Sequence, residues 1–372
     1  MPGFIPVNDL QRQNGFISAD VRSRITEVLE RGWYILGPAL KELETAFAQY
    51  CGVRYCVGTA NGTDALELAL RACGVSRDDR VITVANAGGY STAAILAAGA
   101  EPVYLDIDRD SMLLDLSKLP QYIDSGIRAI IVTHLYGRMV NMPELLRLVS
   151  GRDIPVIEDC AQAHGARLND KAAGSWGTAG CFSFYPTKNL GAIGDGGAVT
   201  TDDPALAEKV VALRQYGWSS KYHSKLPGGR NSRLDEIQAA VLLAKLPYLD
   251  KWNERRRAIA QAYAAGLGSA EARARTPLEA ADVAHLYVIR SPRRNAVREC
   301  LQRMQIGTDI HYPVPDHRQE CYRGLPWASG SLPITEQCCA EVLTLPCFPE
   351  LSDAEVERVI QAVRRAESEA NG

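Results

Sequence analysis

The sequence carries no excess of positive charge: 41 Lys and Arg against 44 Asp and Glu give a formal net charge of −3. A chain of this balance presents no global field to hold a nucleic acid backbone, which argues against nucleic acid as a partner. No apolar run approaches the roughly 18 residues of a membrane span, and Met1 to Leu10 lacks a cationic segment followed by an apolar stretch. These absences exclude a membrane partner and predict a soluble, cytoplasmic protein. The ten cysteines, at positions 51, 56, 73, 160, 181, 300, 321, 338, 339 and 347, include no CxxC pair. Zinc and dithiol chemistry are therefore not indicated, no metal site is expected, and the thiols are expected to be reduced and mostly buried. No internal repeat or low-complexity segment is present.

What is present is material for a large core. Of 372 residues, 46% are hydrophobic and 23% charged, enough for a larger and a smaller domain. Val21, Ile25, Val28 and Leu29 repeat at helical spacing, as do Leu40, Leu43 and Phe47, and Asp64 to Cys73 reads as a helix opening after Asn61-Gly62-Thr63. The N-terminal region is thus expected to be helical. Short β-type runs follow at 81–84, 102–105, 129–132, 155–157 and 181–184, mostly separated by helix-forming stretches. Such alternation predicts an α/β fold, with a largely parallel sheet covered by helices on both faces. A further run at 198–201 and helices at 204–214 and 235–246 complete a large domain over residues 1–248. Residues 249–372, with a long charged helix at 251–266, an apolar run at 285–289, a helix at 294–304 and a last amphipathic helix from 353 to about 365, are expected to form a smaller α+β domain.

Three segments carry chemistry. In Ser183-Phe184-Tyr185-Pro186-Thr187-Lys188-Asn189-Leu190-Gly191 a strand ends and a lysine sits between a proline-fixed turn and a glycine-rich loop. In Pro155-Val156-Ile157-Glu158-Asp159-Cys160-Ala161-Gln162-Ala163-His164-Gly165 an apolar strand delivers two adjacent carboxylates at its carboxyl end, the edge where open α/β sheets place ligands. Successive strand residues face opposite ways, so only one of Glu158 and Asp159 can face a ligand. A fixed lysine beside a strand-end carboxylate suits pyridoxal 5′-phosphate: the amine binds the aldehyde carbon and the carboxylate keeps the pyridine nitrogen protonated. At roughly 3 Å and an effective dielectric near 20, that ion pair is worth on the order of 5 kcal/mol before desolvation. Third, Gly58 to Thr63 precedes a helix, so the N–H groups of Gly62 and Thr63 can meet a phosphate, with Ser183 adding a hydroxyl. The run Gly191 to Gly197 has no glycine at the last position of GxGxxG and no helix after it, so it reads as a turn and not as a nicotinamide dinucleotide site.

These residues, with Gly32-Trp33-Tyr34-Ile35-Leu36-Gly37-Pro38, Asn61-Gly62-Thr63-Asp64-Ala65-Leu66, Asn231 to Ala240 and His311-Tyr312-Pro313, resemble the DegT/DnrJ/EryC1/StrS sugar aminotransferases. The likeness runs nearly end to end. It implies the pyridoxal phosphate dependent transferase fold of type I, with Lys188 as the Schiff-base lysine, Asp159 on the pyridine nitrogen and Gln162 on the phenolic oxygen. It implies phosphate contacts from Gly62, Thr63 and Ser183. Asn231 matches an asparagine that reaches the phosphate of the neighbouring subunit, hence a homodimer with shared active sites. Where relatives carry Asn-Thr-Phe or Asn-Thr-Tyr, with the aromatic ring on the cofactor, this chain reads Asn86-Ala87-Gly88-Gly89-Tyr90. Gly88 takes the aromatic's position, and Tyr90 is the candidate to supply a ring.

For the substrate, Tyr34, Tyr185, His311, Tyr312 and His317 are candidates to approach the sugar. Lys221 and Arg230 are candidates to neutralise a nucleotide diphosphate. Tyr216 to His223 and Leu226 to Arg233 look more like relatives acting on dTDP-linked 3-keto-6-deoxyhexoses than like those acting on 4-keto sugars. The expected activity is transfer of an amino group from L-glutamate to such a 3-keto sugar. The alternatives are a 4-keto substrate or a catalytically silent binding or regulatory protein. Relatives that deoxygenate the sugar ring carry His in place of the lysine, so Lys188 argues against that dehydratase reading.

Overall fold

The computed structural model describes residues 3–123, 126–267, 273–274 and 282–371. Helix α1 (Leu10–Arg31) starts at Asp9, whose side chain accepts the N–H groups of Gln11 and Arg12, and stops at Gly32 in the left-handed conformation. Helix α2 (Pro38–Cys51) has a glycine at its N-cap and therefore no local side chain for its first donors. A residue about 200 positions away meets them. Glu236, fully buried, accepts the N–H groups of Gly37 at 2.9 Å, Ala39 at 2.9 Å and Leu40 at 2.8 Å.

The large unit then alternates strand and helix: β1 (Tyr55–Thr59), α3 (Gly62–Ala72), β2 (Arg80–Thr83), α4 (Tyr90–Ala98), β3 (Glu101–Tyr104), β4 (Ile127–Thr133), α5 (Met142–Leu148) and β5 (Val156–Asp159). A hairpin of β6 (Arg167–Leu168) and β7 (Lys171–Ala172) leads to β8 (Ala179–Ser183), β9 (Gly197–Thr201) and α6 (Pro204–Leu213). A second hairpin, β10 (Trp218–Ser220) and β11 (His223–Ser224), precedes α7 (Glu236–Lys245). Seven strands form the central sheet in the order β1-β9-β8-β5-β4-β2-β3, with β9 antiparallel to both neighbours and the others parallel. Period-two alternation divides each strand between two cores. Ile130 and Val132 of β4 join α2 and α7, whereas Ala129 and Ile131 join α3, α4 and α6. The sheet is therefore covered on both faces, as the apolar runs predict.

Not every strand was in the sequence reading. The region before residue 81 reads as helical, yet β1 lies there, since Tyr55-Cys56-Val57-Gly58-Thr59 is short, contains a glycine and is fixed by pairing with β9. A further core forms from α8 (Leu249–Leu267), a three-stranded antiparallel sheet of β12 (Arg273–Ala274), β13 (Tyr287–Arg290) and β14 (Val342–Leu345), and helices α9 (Arg294–Arg303) and α11 (Asp353–Asn371). Helix α10 (Pro333–Glu341) leads into β14, a strand absent from the sequence reading. Helix α11 runs past the expected end near 365, and Ile5 from the beginning of the chain joins this core. We propose the domain division between residues 248 and 249, at the start of α8. All ten cysteines are free thiols, and seven of them are buried. No helix among the described residues is long and apolar enough to cross a membrane.

Glu236→Ala would leave three buried N–H groups without an acceptor. It is expected to lower stability by about 2–4 kcal/mol, read from the urea midpoint, whereas Glu236→Gln is expected to recover part of the loss.

Candidate active site

The end of β5 assigns its two carboxylates to opposite faces. Glu158 is fully buried and accepts four hydrogen bonds, from His134 Nε2 at 2.9 Å and from the N–H groups of Gly174 at 3.0 Å, Trp176 at 2.8 Å and Gly177 at 2.8 Å. Its acceptor capacity is used within the fold. Asp159 accepts from the Ala161 N–H at 3.1 Å and lies 3.4 Å from the Thr133 hydroxyl. Burial pushes its carboxyl up, opposed by the Ala161 N–H and by the nearby Lys188 ammonium. Asp159 is thus the carboxylate with capacity left for a cationic ring nitrogen.

Lys188 stands in the loop after β8, its N–H bonded to the Tyr185 carbonyl at 2.9 Å. Crowding by the surrounding protein pulls its ammonium down to about 8, against the attraction of Asp159. The phosphate cradle forms at the start of α3, where Asn61 caps the Asp64 N–H at 2.8 Å. Helix geometry leaves the Gly62 and Thr63 N–H groups without intrahelical acceptors. Gly62 packs so closely on Ser183 that an added Cβ would stand 2.7 Å from the serine Cβ, so the glycine is what lets this helix end meet the end of β8. An anion cradle, a half-buried amine and a buried carboxylate together fit pyridoxal 5′-phosphate.

Gln162 accepts the Tyr136 N–H at 2.6 Å and donates to the Tyr312 hydroxyl at 3.1 Å. Tyr312 lies over Gly88, where an added Cβ would come within 2.8 Å of the ring and the backbone has φ +83°. That contact leaves no room for a side chain at position 88. Tyr90, half-exposed at the start of α4, meets Tyr312 edge-on at 6.2 Å between centroids. His311 donates or accepts at Thr344 Oγ1 (2.8 Å) and feels the Lys188 charge, and its carbonyl accepts the Tyr136 hydroxyl. His164 is buried against Phe182 and Phe184 and is pushed down to about 3 by burial and Lys188, so it stays neutral.

Tyr34 and Tyr185 are about half-exposed, and Lys221 extends from the β10–β11 turn over the Tyr222 ring at 5.1 Å. Asn231 is exposed. Two of the sequence candidates are placed otherwise. Arg230 is paired with Glu67 and Asp64 of α3, so its charge is already matched inside the chain. His317 is buried against Tyr104, with its Nε2 3.0 Å from Glu336, and is not brought to Lys188. Sequence reading missed Tyr136 and His134. The signal available was position, since His134 directly follows β4, the neighbour of β5. His134, Glu158 and Cys160 converge within 4.8 Å. They are spent as a structural cluster: His134 Nδ1 accepts the Val140 N–H, Nε2 donates to Glu158, and burial keeps the Cys160 thiol protonated.

The family model of the DegT/DnrJ/EryC1/StrS aminotransferases matches residues 16–364. The chain belongs to this family. It is 46% identical over 362 residues to the dTDP-3-amino-3,6-dideoxy-alpha-D-galactopyranose transaminase of Aneurinibacillus thermoaerophilus, covering 97% of this chain and 99% of the relative. The crystal structure of DesV from S. venezuelae in complex with a ketimine intermediate superposes with a TM-score of 0.95 at 41% identity, covering 98% and 99% of the two chains. NtdA from Bacillus subtilis, solved with bound cofactor PMP, superposes with a TM-score of 0.92 at 28% identity, covering 99% and 86%. This member of the family is a pyridoxal phosphate dependent aminotransferase with the type I fold.

Asp159→Asn is expected to keep the fold yet reduce turnover by about a hundredfold or more, because an amide cannot hold a pyridinium proton. Glu158→Gln is expected to act on stability instead, lowering the thermal midpoint. Near wild-type turnover in Asp159→Asn would overturn the assignment.

Proposed function

We propose that this enzyme transfers the amino group of L-glutamate to C3 of a dTDP-linked 3-keto-6-deoxyhexose, giving a 3-amino-3,6-dideoxy sugar nucleotide and 2-oxoglutarate. The observation that carries the reading is the half-buried Lys188 with the buried Asp159 beside the α3 cradle, in a chain nearly half identical to a transaminase named for a dTDP-3-amino-3,6-dideoxy sugar.

When bound, the cofactor supplies an electron sink for the carbon that loses its proton. The chain's own residues do the rest. The Gly62 and Thr63 N–H groups and the Ser183 hydroxyl would hold the phosphate, and Asp159 would keep the pyridine nitrogen protonated. Gln162 Nε2, a donor already aimed at a phenolic oxygen, orients the ring through its own phenolic oxygen. Tyr90 supplies the ring neighbour that Gly88 lacks. Lys188 Nζ would hold the cofactor, and the same amine, when free and neutral, would be the group that takes the proton from the substrate carbon and gives it back. A lysine pulled down to about 8 keeps a working fraction of neutral amine near neutral pH, which a solvated lysine does not.

Tyr34, Tyr185, His311 and Tyr312 line the side left open to the sugar, and Lys221 meets the diphosphate. Arg230 instead braces α3 through Glu67 and Asp64, and His317 holds the 311–318 loop through Glu336. A second copy completes the site. Asn231 and the apolar side chains of Trp33, Ile35, Ile193 and Tyr216 are exposed in the single chain, the pattern of a surface that another subunit covers. Ten unpaired thiols suit a reducing compartment, and we place the enzyme in the cytoplasm.

Incubation with L-glutamate and either the 3-keto or the 4-keto dTDP sugar is expected to give amino sugar from the 3-keto compound. Product from the 4-keto compound alone would reject the reading. For assembly, the enzyme is expected to sediment as a dimer, and Asn231→Ala is expected to weaken cofactor retention on dialysis about tenfold without dissociating the subunits. A monomer that keeps full cofactor at low concentration would contradict the shared site.

A further inference from the structure

Behind Lys188 lies a buried polar network with no direct part in the chemistry above. Asn189, next to Lys188 in the chain, donates from Nδ2 to Asn253 Oδ1 at 2.8 Å and to the Val283 carbonyl at 3.2 Å. Asn253, on α8, donates from its own Nδ2 to the His164 carbonyl at 2.8 Å. His285 Nδ1 lies 2.9 Å from Asn189 Oδ1. Asn189, Asn253 and His285 are all at least nine-tenths buried.

The two carbonyls fix the direction of every bond. A backbone carbonyl only accepts, so the Val283 oxygen orients the Asn189 amide and the His164 oxygen orients the Asn253 amide. Asn189 Oδ1 must then face His285, and His285 Nδ1 must be the N–H. Burial, Lys188 and Arg256 push His285 well below its ordinary value, so the ring stays neutral in this tautomer. One turn along α8 from Asn253, Arg256 donates to the His285 carbonyl at 3.2 Å. Helix α8 thereby grips the histidine segment, the lysine segment and residue 164 together.

We propose that Asn253 and the Nδ1–H tautomer of His285 are positioning residues that hold Asn189, and through it Lys188, at a fixed place relative to the segment carrying Asp159. The inference rests on the reading of Lys188 as the cofactor lysine. The tether joins three separate stretches: residues 159–164 from the end of β5, residues 188–189 after β8, and Asn253 of α8 with residues 283–285 before β13. Without it Asp159 at a strand end and Lys188 on a loop have no mutual hydrogen bond to set their separation. The titratable groups that face Lys188 are Asp159, His164, His285 and His311. Burial keeps proton affinity low in all three histidines, so Asp159 alone counters the crowding around the amine.

The test reads Lys188 directly. In cofactor-free full-length enzyme, brief modification with trinitrobenzenesulfonate, followed by mass spectrometry of the Lys188 peptide, gives reactivity against pH. In the wild type it should rise about tenfold per unit below its midpoint and level off above about pH 8. Asn253→Ala and His285→Ala let water reach the loop. They are expected to raise the midpoint by about one unit or more, and to weaken cofactor affinity about tenfold. His285→Asn, whose amide nitrogen replaces Nδ1, is expected to keep the wild-type midpoint. His285→Gln, whose amide nitrogen replaces Nε2, is expected to move it as the alanine does. Folded alanine variants with the wild-type midpoint would overturn the proposal. If the alanine variants do not fold, equal midpoints for the Asn and Gln variants would overturn it. Wild-type enzyme that takes up no pyridoxal phosphate, or whose visible absorption band survives in Lys188→Ala, would instead sink the reading of Lys188 itself, leaving the midpoints to judge the tether.

Discussion

An amine kept close to neutrality beside a carboxylate, at the carboxyl edge of a parallel sheet, is the constraint on which this structure depends. Crowding lowers the proton affinity of Lys188, Asp159 raises it, and the balance near 8 is useful only while both groups are held in place. Neither group is placed by its own segment. Asp159 is aimed by the alternation of β5, which spends Glu158 on four bonds to the opposite side. Lys188 is held by its loop and by the amide and imidazole groups packed behind it.

Long-range polar contacts recur as the means of joining elements that apolar packing alone would leave free to slide. Glu236 caps a helix that begins almost 200 residues earlier, Arg230 ties the loop after β11 to α3, and Asn253 joins two active-site loops to the second core. Glu236 and Asn253 are buried with their partners in place, which makes these contacts directional locks. The glycine at position 88 belongs to the same economy of space. It lets the Tyr312 ring lie against the loop before α4, with the phenol oxygen reaching Gln162.

The sequence by itself determined the chemistry-bearing segments and the fold class. Asp159, Ser183, Gly62 and Thr63 stand at strand ends or at a helix start and Lys188 in the loop after β8, and such places are written locally, in an apolar run followed by glycine, proline or a capping residue. The short apolar runs of the parallel strands were legible for the same reason. Strands β1 and β14 were not legible, because runs of five and four residues acquire strand character from their partners across the sheet and carry little of it themselves. Only the tertiary structure decided which carboxylate is free, since alternation states that Glu158 and Asp159 diverge but not which side holds the Gly174 to Gly177 turn. Only it showed Arg230 neutralised, His317 enclosed, and Asn189 bound to His285 and Asn253. The partners in these cases lie 16 to 166 residues away along the chain, and no local pattern records such separations.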